Sequence, residues 1–166
     1  MTFGRRLAAV LLIAPAVVGC GHVTAGAARA EPAPSLDAFT PVDSEQYYIP
    51  LRGGPSHQFH TPSGAGCQIS LGSVWCWNNA GDGCAQAGPT NNGRTEPPYT
   101  YFLEHDGAAC ADQRSRPLLD VGRKLSVALW PDGVITCAAA TSSRLICVDD
   151  REGHGFVLDA TDTRTF

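Results

Sequence analysis

His154 has the surroundings of a side chain that could transfer a proton. It lies between two glycines, and three acidic residues closely precede it: Asp149, Asp150 and Glu152. A histidine beside a carboxylate can act as a general base for a hydroxyl nucleophile. However, the sequence contains no G-x-S-x-G motif, and no serine is singled out as a nucleophile. We therefore favour a structural interpretation, in which His154 binds backbone groups at a strand-entry turn and Phe156 enters the core.

Trp75 and Trp77 are the second group of side chains that could contact a ligand. They flank Cys76 on one short strand, so both indoles share a face and Cys76 lies on the other. If Cys76 faces the core, the indoles form an exposed platform that could stack on sugars or peptides. We favour the opposite arrangement, with the indoles in the core, because burying them removes a large apolar area from water. Trp75, Trp77 and His154 are thus the residues of a possible ligand face.

The spacing of histidines and cysteines does not predict a metal centre. His57 and His60 form an H-x2-H pair, and a strand places such residues on opposite faces. No two cysteines are as close as the C-x2-C pairs of zinc sites. With sixteen acidic residues in the chain, no single pair indicates a glycosidase. We therefore predict no metal, no cofactor and no catalytic residue.

The cysteines predict a disulfide framework. Six of them follow Cys20, and an even number in a small exported domain indicates paired cysteines. Two pairs are close in sequence, and each brackets an apolar stretch that is broken by a small turn. Cysteines that face each other across a hairpin have the Cα separation that a disulfide needs. The predicted bridges are Cys67–Cys76, Cys137–Cys147 and, by elimination, Cys84–Cys110.

The two cysteine hairpins require a β-rich domain to hold them. Each follows a Pro-x-Gly turn, at Pro62 and at Pro131, so the hairpins look like copies of each other. Short runs of aromatic and β-branched residues predict five further strands, at residues 47–51, 58–61, 100–105, 124–130 and 155–159. The sequence therefore predicts an all-β, disulfide-stapled sandwich or meander of about seven to nine short strands.

The N-terminus has the features of an export signal. Arg5 and Arg6 precede an apolar run at residues 7–18, which is shorter than the roughly 20 residues that span a bilayer. The sequence VVGC, which ends at Cys20, resembles the bacterial lipobox, whose cysteine carries a lipid anchor. Because the lipobox adjoins the apolar run, we favour a signal peptide at residues 1–20 and lipidation of Cys20. The alternative is secretion after cleavage at Ala30, which ends an A-x-A site.

The segment after the signal differs from the rest of the chain. Residues 21–45 are rich in alanine, proline and serine and carry few large apolar side chains. We predict a flexible tether there and a disulfide-rich β domain at residues 46–166. After residue 20 the chain has ten basic and sixteen acidic side chains, a net charge of −6, and no basic cluster. Nucleic acid is therefore not an expected partner.

The cysteine order and the C-terminal motif resemble a known family. The segments TPSGAGC at residues 61–67 and GHGF at residues 153–156, with the intervening V-x-C and T-C pairs, carry the resemblance. The family is actinobacterial, contains secreted proteins and lipoproteins, and typically reads SPSGNIGC, V-x-C, T-C and GHGF. The resemblance covers about residues 57–160, although the loop before Cys67 is one residue shorter here. It implies an exported location and the cysteine framework, and no activity.

Together these features predict where the protein works more closely than what it does. We expect a non-catalytic, envelope-anchored or secreted protein that serves as a binding or structural accessory. Its expected partners are the membrane, through the lipid anchor, and an envelope ligand or protein. The alternative is a small secreted hydrolase that uses His154 with a nearby carboxylate. A deep cleft holding His154 beside an acid and a hydroxyl would favour the hydrolase, whereas a shallow surface with paired indoles would favour binding.

Overall fold

The chain forms two six-stranded β-sheets. The computed structural model describes residues 32–80, 83–90, 100–129 and 132–166. The strands are β1 (Thr40–Pro41), β2 (Tyr48–Leu51), β3 (Gly54–His60), β4 (Gly66–Ser70), β5 (Ser73–Ala80), β6 (Gly83–Pro89), β7 (Tyr101–Asp106), β8 (Arg123–Ala128), β9 (Val134–Ala139), β10 (Leu145–Asp149), β11 (His154–Leu158) and β12 (Arg164–Thr165). A 3-10 helix spans Ser44–Tyr47. The predicted signal peptide, Cys20, the cleavage site at Ala30 and Trp130 lie outside the described residues.

Both sheets are built from meanders, and one short strand joins the second sheet in parallel. The N-terminal sheet has the order β2-β3-β4-β5-β6-β7, and its neighbouring strands are antiparallel. The C-terminal sheet has the order β1-β8-β9-β10-β11-β12, in which β1 alone among the described strands pairs in parallel, with β8. The predicted all-β, disulfide-stapled sandwich is confirmed. The described strands exceed the predicted number by β1, β6 and β12, because two of these have only two residues and β6 lacks β-branched side chains.

The two cysteine hairpins occupy equivalent places in the two sheets. In each hairpin the paired cysteines stand directly opposite each other in the strand register. The Sγ atoms of Cys76 and Cys147 lie 3.8 Å apart, so the two bridges meet between the sheets. The described disulfides are Cys67–Cys76, Cys84–Cys110 and Cys137–Cys147, the pairs that the spacing predicts.

The inner faces of the two sheets enclose the main apolar core. Its fully buried side chains include Phe59 and Ile69 from the N-terminal sheet, and Leu125 and Phe156 from the C-terminal sheet. The Phe156 ring packs edge-on against Tyr101, with 5.4 Å between the ring centroids. Burying each such side chain contributes about 1.5–3 kcal/mol to folding. The core therefore fixes the two sheets relative to each other, with their inner faces in contact and their outer faces directed away from the core.

The folded domain begins before residue 46. Leu36 packs with Phe166 in a second apolar cluster on the outer face of the C-terminal sheet. Its carbonyl oxygen accepts a hydrogen bond of 3.0 Å from Lys124 Nζ. Thr40 then pairs with Arg123 through β1. The last part of the predicted tether is thus ordered, because its few apolar side chains cover a sheet face that would otherwise meet water.

Candidate functional site

Trp75 and Trp77 lie on the outer face of the N-terminal sheet. Cys76 between them is fully buried and contacts Cys147 of the other sheet, so the alternation along β5 directs both indoles outwards. Both indoles are half-buried. The favoured sequence interpretation, with the disulfide outside and the indoles in the core, is therefore wrong. The reason is that two compact disulfides fill the space between the sheets, and the indoles cover small residues on the outside.

Trp75 is packed against its own sheet. A Cβ atom at Gly88 of β6 would lie 2.5 Å from Cε3 of Trp75, so the indole rests directly on the backbone there. Phe102 of β7 adds an edge contact, with 5.7 Å between the ring centroids. Because two strands hold it in place, Trp75 contributes mainly to the packing of this face.

A connecting segment crosses the same face beside Trp77. We call residues 107–118, which run from the end of β7 to β3, the strap. The Cys84–Cys110 bridge ties the strap to β6. At its far end, His60 Nδ1 lies 2.7 Å from the carbonyl oxygen of Arg116. The strap is therefore fixed at both ends over the outer face of the sheet.

Gln113 and Arg116 hold the middle of the strap against β4. A Cβ atom at Gly66 would lie 2.2 Å from Cγ of Gln113, so glycine is needed for this close approach. Arg116 donates from Nη1 to the carbonyl oxygen of Cys67 at 2.9 Å. Its guanidinium carbon lies 5.7 Å from the centroid of the Trp77 ring, which is cation–π range. Burial lowers the pKa of Arg116, yet a guanidinium stays protonated in proteins. Arg116 thus fixes both the strap and the indole.

An open groove of about 790 Å³ lies between the strap and the sheet, and we call it the strap groove. Its floor is formed by Trp77 of β5, Gln86 of β6 and Glu104 of β7, which are cross-strand neighbours. The strap adds the side chains of Gln113 and Arg116. Cavities in this size range accommodate small-molecule ligands. The strap groove is therefore large enough for a small ligand or for one segment of a polymer.

The strap groove carries more negative than positive charge. Glu104 and Asp106 both line it. The basic side chains among its described lining residues are Arg116 and His105. No hydrogen bond or ion pair joins the Glu104 side chain to another described residue. The guanidinium of Arg116 is already engaged by a carbonyl oxygen and by Trp77. This arrangement suits a neutral or cationic polar ligand better than an anion.

His154 lies in the other sheet, at the start of β11. Its Nδ1 atom is 3.2 Å from the carbonyl oxygen of Phe166, and its Nε2 atom is 3.8 Å from Oε2 of Glu152. His154 is not among the described residues that line the strap groove. The structure therefore does not bring His154 together with the two indoles. The ring does bind backbone, but at the C-terminal residue rather than within its own turn.

Sequence reasoning did not single out the other residues of the strap groove. Gln86, Glu104, Gln113 and Arg116 belong to no motif, and they are widely separated in the chain. The sequence offers one signal of this site, because the predicted Cys84–Cys110 bridge places the segment around Cys110 next to β6. That bridge alone does not reveal that the segment continues across the sheet to β3.

A second, smaller cleft of about 340 Å³ opens between the ends of the two sheets, and we call it the apolar cleft. Leu71 lines it at a hairpin turn, where its φ is 49° and the residue is 63% exposed. Burial lowers the pKa of His57, which also lines it, so that ring is uncharged near neutral pH. The other apolar lining side chains are Pro55, Ile69, Val127, Ala128 and Leu129.

The residues considered as metal ligands have other roles. His57 lines the apolar cleft, whereas His60 holds the strap. The Sγ atoms of Cys67, Cys76 and Cys147 lie within 4.8 Å of one another. All three belong to disulfides, so this cluster presents no thiolate to a metal.

No protein-family model, curated protein or solved structure matches this chain. Within the described ranges, no helix combines the length and the apolar character that crossing a membrane requires. The geometry of the strap groove therefore carries the functional conclusion.

Proposed function

We propose that this protein is an exported, non-catalytic binding protein whose ligand occupies the strap groove. One observation carries the proposal. The strap groove combines an indole held by Arg116 with a carboxylate, Glu104, that has no partner among the described residues. Ligand sites typically combine apolar surface with a few convergent polar groups. The disulfides and the fixed strap preorganise these groups, which lowers the entropy lost on binding.

The alternative is a small hydrolase that uses His154. Its support is the 3.8 Å approach of His154 to Glu152. Against it, the other ring nitrogen already contacts the carbonyl oxygen of Phe166. No described hydrogen bond joins His154 to a hydroxyl that could serve as a nucleophile. We therefore favour binding over hydrolysis.

We also propose that the protein is held at the extracytoplasmic face of the cell membrane by lipidation of Cys20. Three disulfides support an oxidising compartment. We expect Cys20→Ala to move the protein out of the membrane fraction or to block its maturation, because the acyl chains provide the membrane affinity. Cell fractionation and intact mass measure this. The matched control is Ala30→Arg, which should change neither property. If Cys20→Ala changes nothing and Ala30→Arg blocks processing, the protein is secreted instead.

The strap groove can be tested in intact cells with the full chain. We expect a photo-crosslinking residue at Gln113 to give covalent adducts several-fold more often than one at Ser126. Gln113 lines the strap groove, whereas Ser126 is exposed on the outer face of the C-terminal sheet. The adducts at Gln113 should disappear when Trp77→Ala is added, provided that the melting temperature shows a folded protein. Equal adduct formation at both positions, or adducts at Gln113 that persist without Trp77, would show that the strap groove is not the binding site.

A further inference from the structure

We infer that the ligand of the strap groove is a neutral saccharide. This inference rests on the proposed binding function and specifies its ligand class. It follows from three properties of the strap groove, namely its place on a sheet face whose backbone is mostly paired, the set of side chains it presents, and its charge.

Most of the floor backbone is already paired. β5 and β6 are paired on both sides, whereas β7 is the edge strand and pairs with β6 on one side. The register places Trp77 opposite Gln86 and Gln86 opposite Glu104. An extended peptide binds a sheet by adding a strand at a free edge. The strap groove lies on a sheet face, so recognition here depends on side chains and on the strap.

The side chains of the strap groove can form hydrogen bonds with hydroxyl groups. The amides of Gln86 and Gln113 each donate and accept hydrogen bonds, and the carboxylate of Glu104 accepts from more than one hydroxyl. Trp77 adds a flat apolar surface between these polar groups. A pyranose ring has the complementary surface, with hydroxyls around its rim and C–H groups on its faces. The Gln113 amide already donates from Nε2 to the carbonyl oxygen of Ala111 at 2.9 Å and keeps its acceptor oxygen. A fully apolar ligand would displace water from the Gln86 amide and the Glu104 carboxylate without replacing its hydrogen bonds, which is costly.

The charge of the strap groove disfavours anionic ligands. Glu104 and Asp106 would repel a phosphate, a sulfate or a uronic acid, and Arg116 already binds the Cys67 carbonyl oxygen. The strap begins with Gly107, Ala108 and Ala109, whose small side chains leave the wall there mostly backbone. The wall of the strap groove beside Glu104 therefore presents mainly backbone groups to a ligand.

Binding of defined oligosaccharides to the full mature protein, measured by tryptophan fluorescence and saturation-transfer NMR, tests the inference. The probes are the neutral tetrasaccharides of glucose, mannose and N-acetylglucosamine, with tetragalacturonate as the anionic comparison. We expect at least one neutral probe to bind and tetragalacturonate not to bind. Trp77→Ala should weaken binding about tenfold, as truncation of a central aromatic contact does. Trp75→Ala, on the same face but packed on β6, should change binding less than twofold.

Once a sugar that binds is known, two samples that contain it show whether the natural ligand belongs to the membrane or to the cell wall. Vesicles that contain a glycolipid with this sugar represent the membrane, and the insoluble homopolymer represents the cell wall. Each is compared in the parent and in Trp77→Ala. Binding of tetragalacturonate alone, or neutral binding that does not depend on Trp77, would overturn the inference. If no probe binds while Gln113 still gives Trp77-dependent adducts, the saccharide inference fails and the proposed binding function stands. Cleavage of a bound probe, seen by mass spectrometry, would overturn the non-catalytic proposal instead.

Discussion

Replacement of Asp149 by alanine is expected to lower the free energy of unfolding by about 3–5 kcal/mol. The Asp149 side chain is fully buried, and the Arg151 side chain is only 8% exposed. Arg151 donates from Nε to Oδ1 of Asp149 at 2.8 Å, and the Tyr101 hydroxyl donates to Oδ2 at 3.0 Å. Burial, followed by the charge of Asp149, raises the pKa of Tyr101, so its hydroxyl remains a donor. Alanine would remove the buried carboxylate from both of these groups while they stay enclosed.

The same ion pair links the two sheets. Arg151 follows β10 of the C-terminal sheet and donates to the carbonyl oxygen of Gly72, in the β4–β5 turn of the N-terminal sheet. Tyr101 belongs to β7 of the N-terminal sheet, so Asp149 receives hydrogen bonds from both sides. Loss of Asp149 should therefore loosen the contact between the sheets. It should also leave the buried guanidinium of Arg151 without its carboxylate partner.

Urea unfolding without reductant measures the effect while the disulfides stay intact. Asp149→Asn should cost less than Asp149→Ala, because the amide keeps an acceptor for the Tyr101 hydroxyl. The double variant Asp149→Leu with Arg151→Met should recover part of the loss, since it removes both charges together. An Asp149→Ala variant within about 1 kcal/mol of the parent would show that the buried pair is not needed for stability.

The sequence predicts the cysteine hairpins better than any other part of the fold. The β4–β5 and β9–β10 pairs combine short apolar strands, small turns and facing cysteines, all of which are local signals. β6 carries no such signal, because GCAQAGP has the composition of a loop. It is a strand because its backbone pairs with β5 on one side and with β7 on the other, and glycine at position 88 leaves room for Trp75 of β5. The small residues that prevent the prediction of β6 from the sequence thus include the glycine that the neighbouring indole requires.

The orientation of the β5 indoles depends on the other half of the chain. Alternation shows that Trp75 and Trp77 share a face, but it does not show which face meets the core. That choice is made by the Cys137–Cys147 bridge, whose Cys147 lies 3.8 Å from Cys76 across the core. A preference based on indole burial alone therefore gave the wrong face, because it ignored how tightly two disulfides pack.

The strap groove is even less accessible to sequence reasoning. The strap has no hydrophobic period, and its hold on β3 through His60 and Arg116 joins residues 56 positions apart. Glu104 is one of sixteen acidic residues, and nothing in its neighbours marks it. The sheet register places it two strands away from Trp77, and the strap crosses beside both residues to form the groove. The chemistry of this site thus arises from long-range topology, to which local patterns do not respond.

The second large effect is expected at Phe156. Its ring is fully buried, stands opposite Cys147 in the strand register and packs edge-on against Tyr101. Phe156→Ala would leave a cavity beside the disulfides, which are held too firmly to close it. We expect a loss of about 3–5 kcal/mol in the free energy of unfolding. Phe156→Leu is the matched control and should cost less than about 1.5 kcal/mol, because it preserves most of the volume.

His154→Ala provides the comparison that separates a structural histidine from a catalytic one. If His154 acts through its contact with the Phe166 carbonyl oxygen, its loss should cost about 0.5–1.5 kcal/mol, clearly less than Phe156→Ala. If His154 instead serves a hydrolase, its removal should leave stability nearly unchanged, since active-site residues are placed at the expense of folding. Thermal and urea unfolding of both variants, without reductant, give the order. A His154→Ala protein as stable as the parent would contradict the structural role and redirect the search for function to this histidine and Glu152.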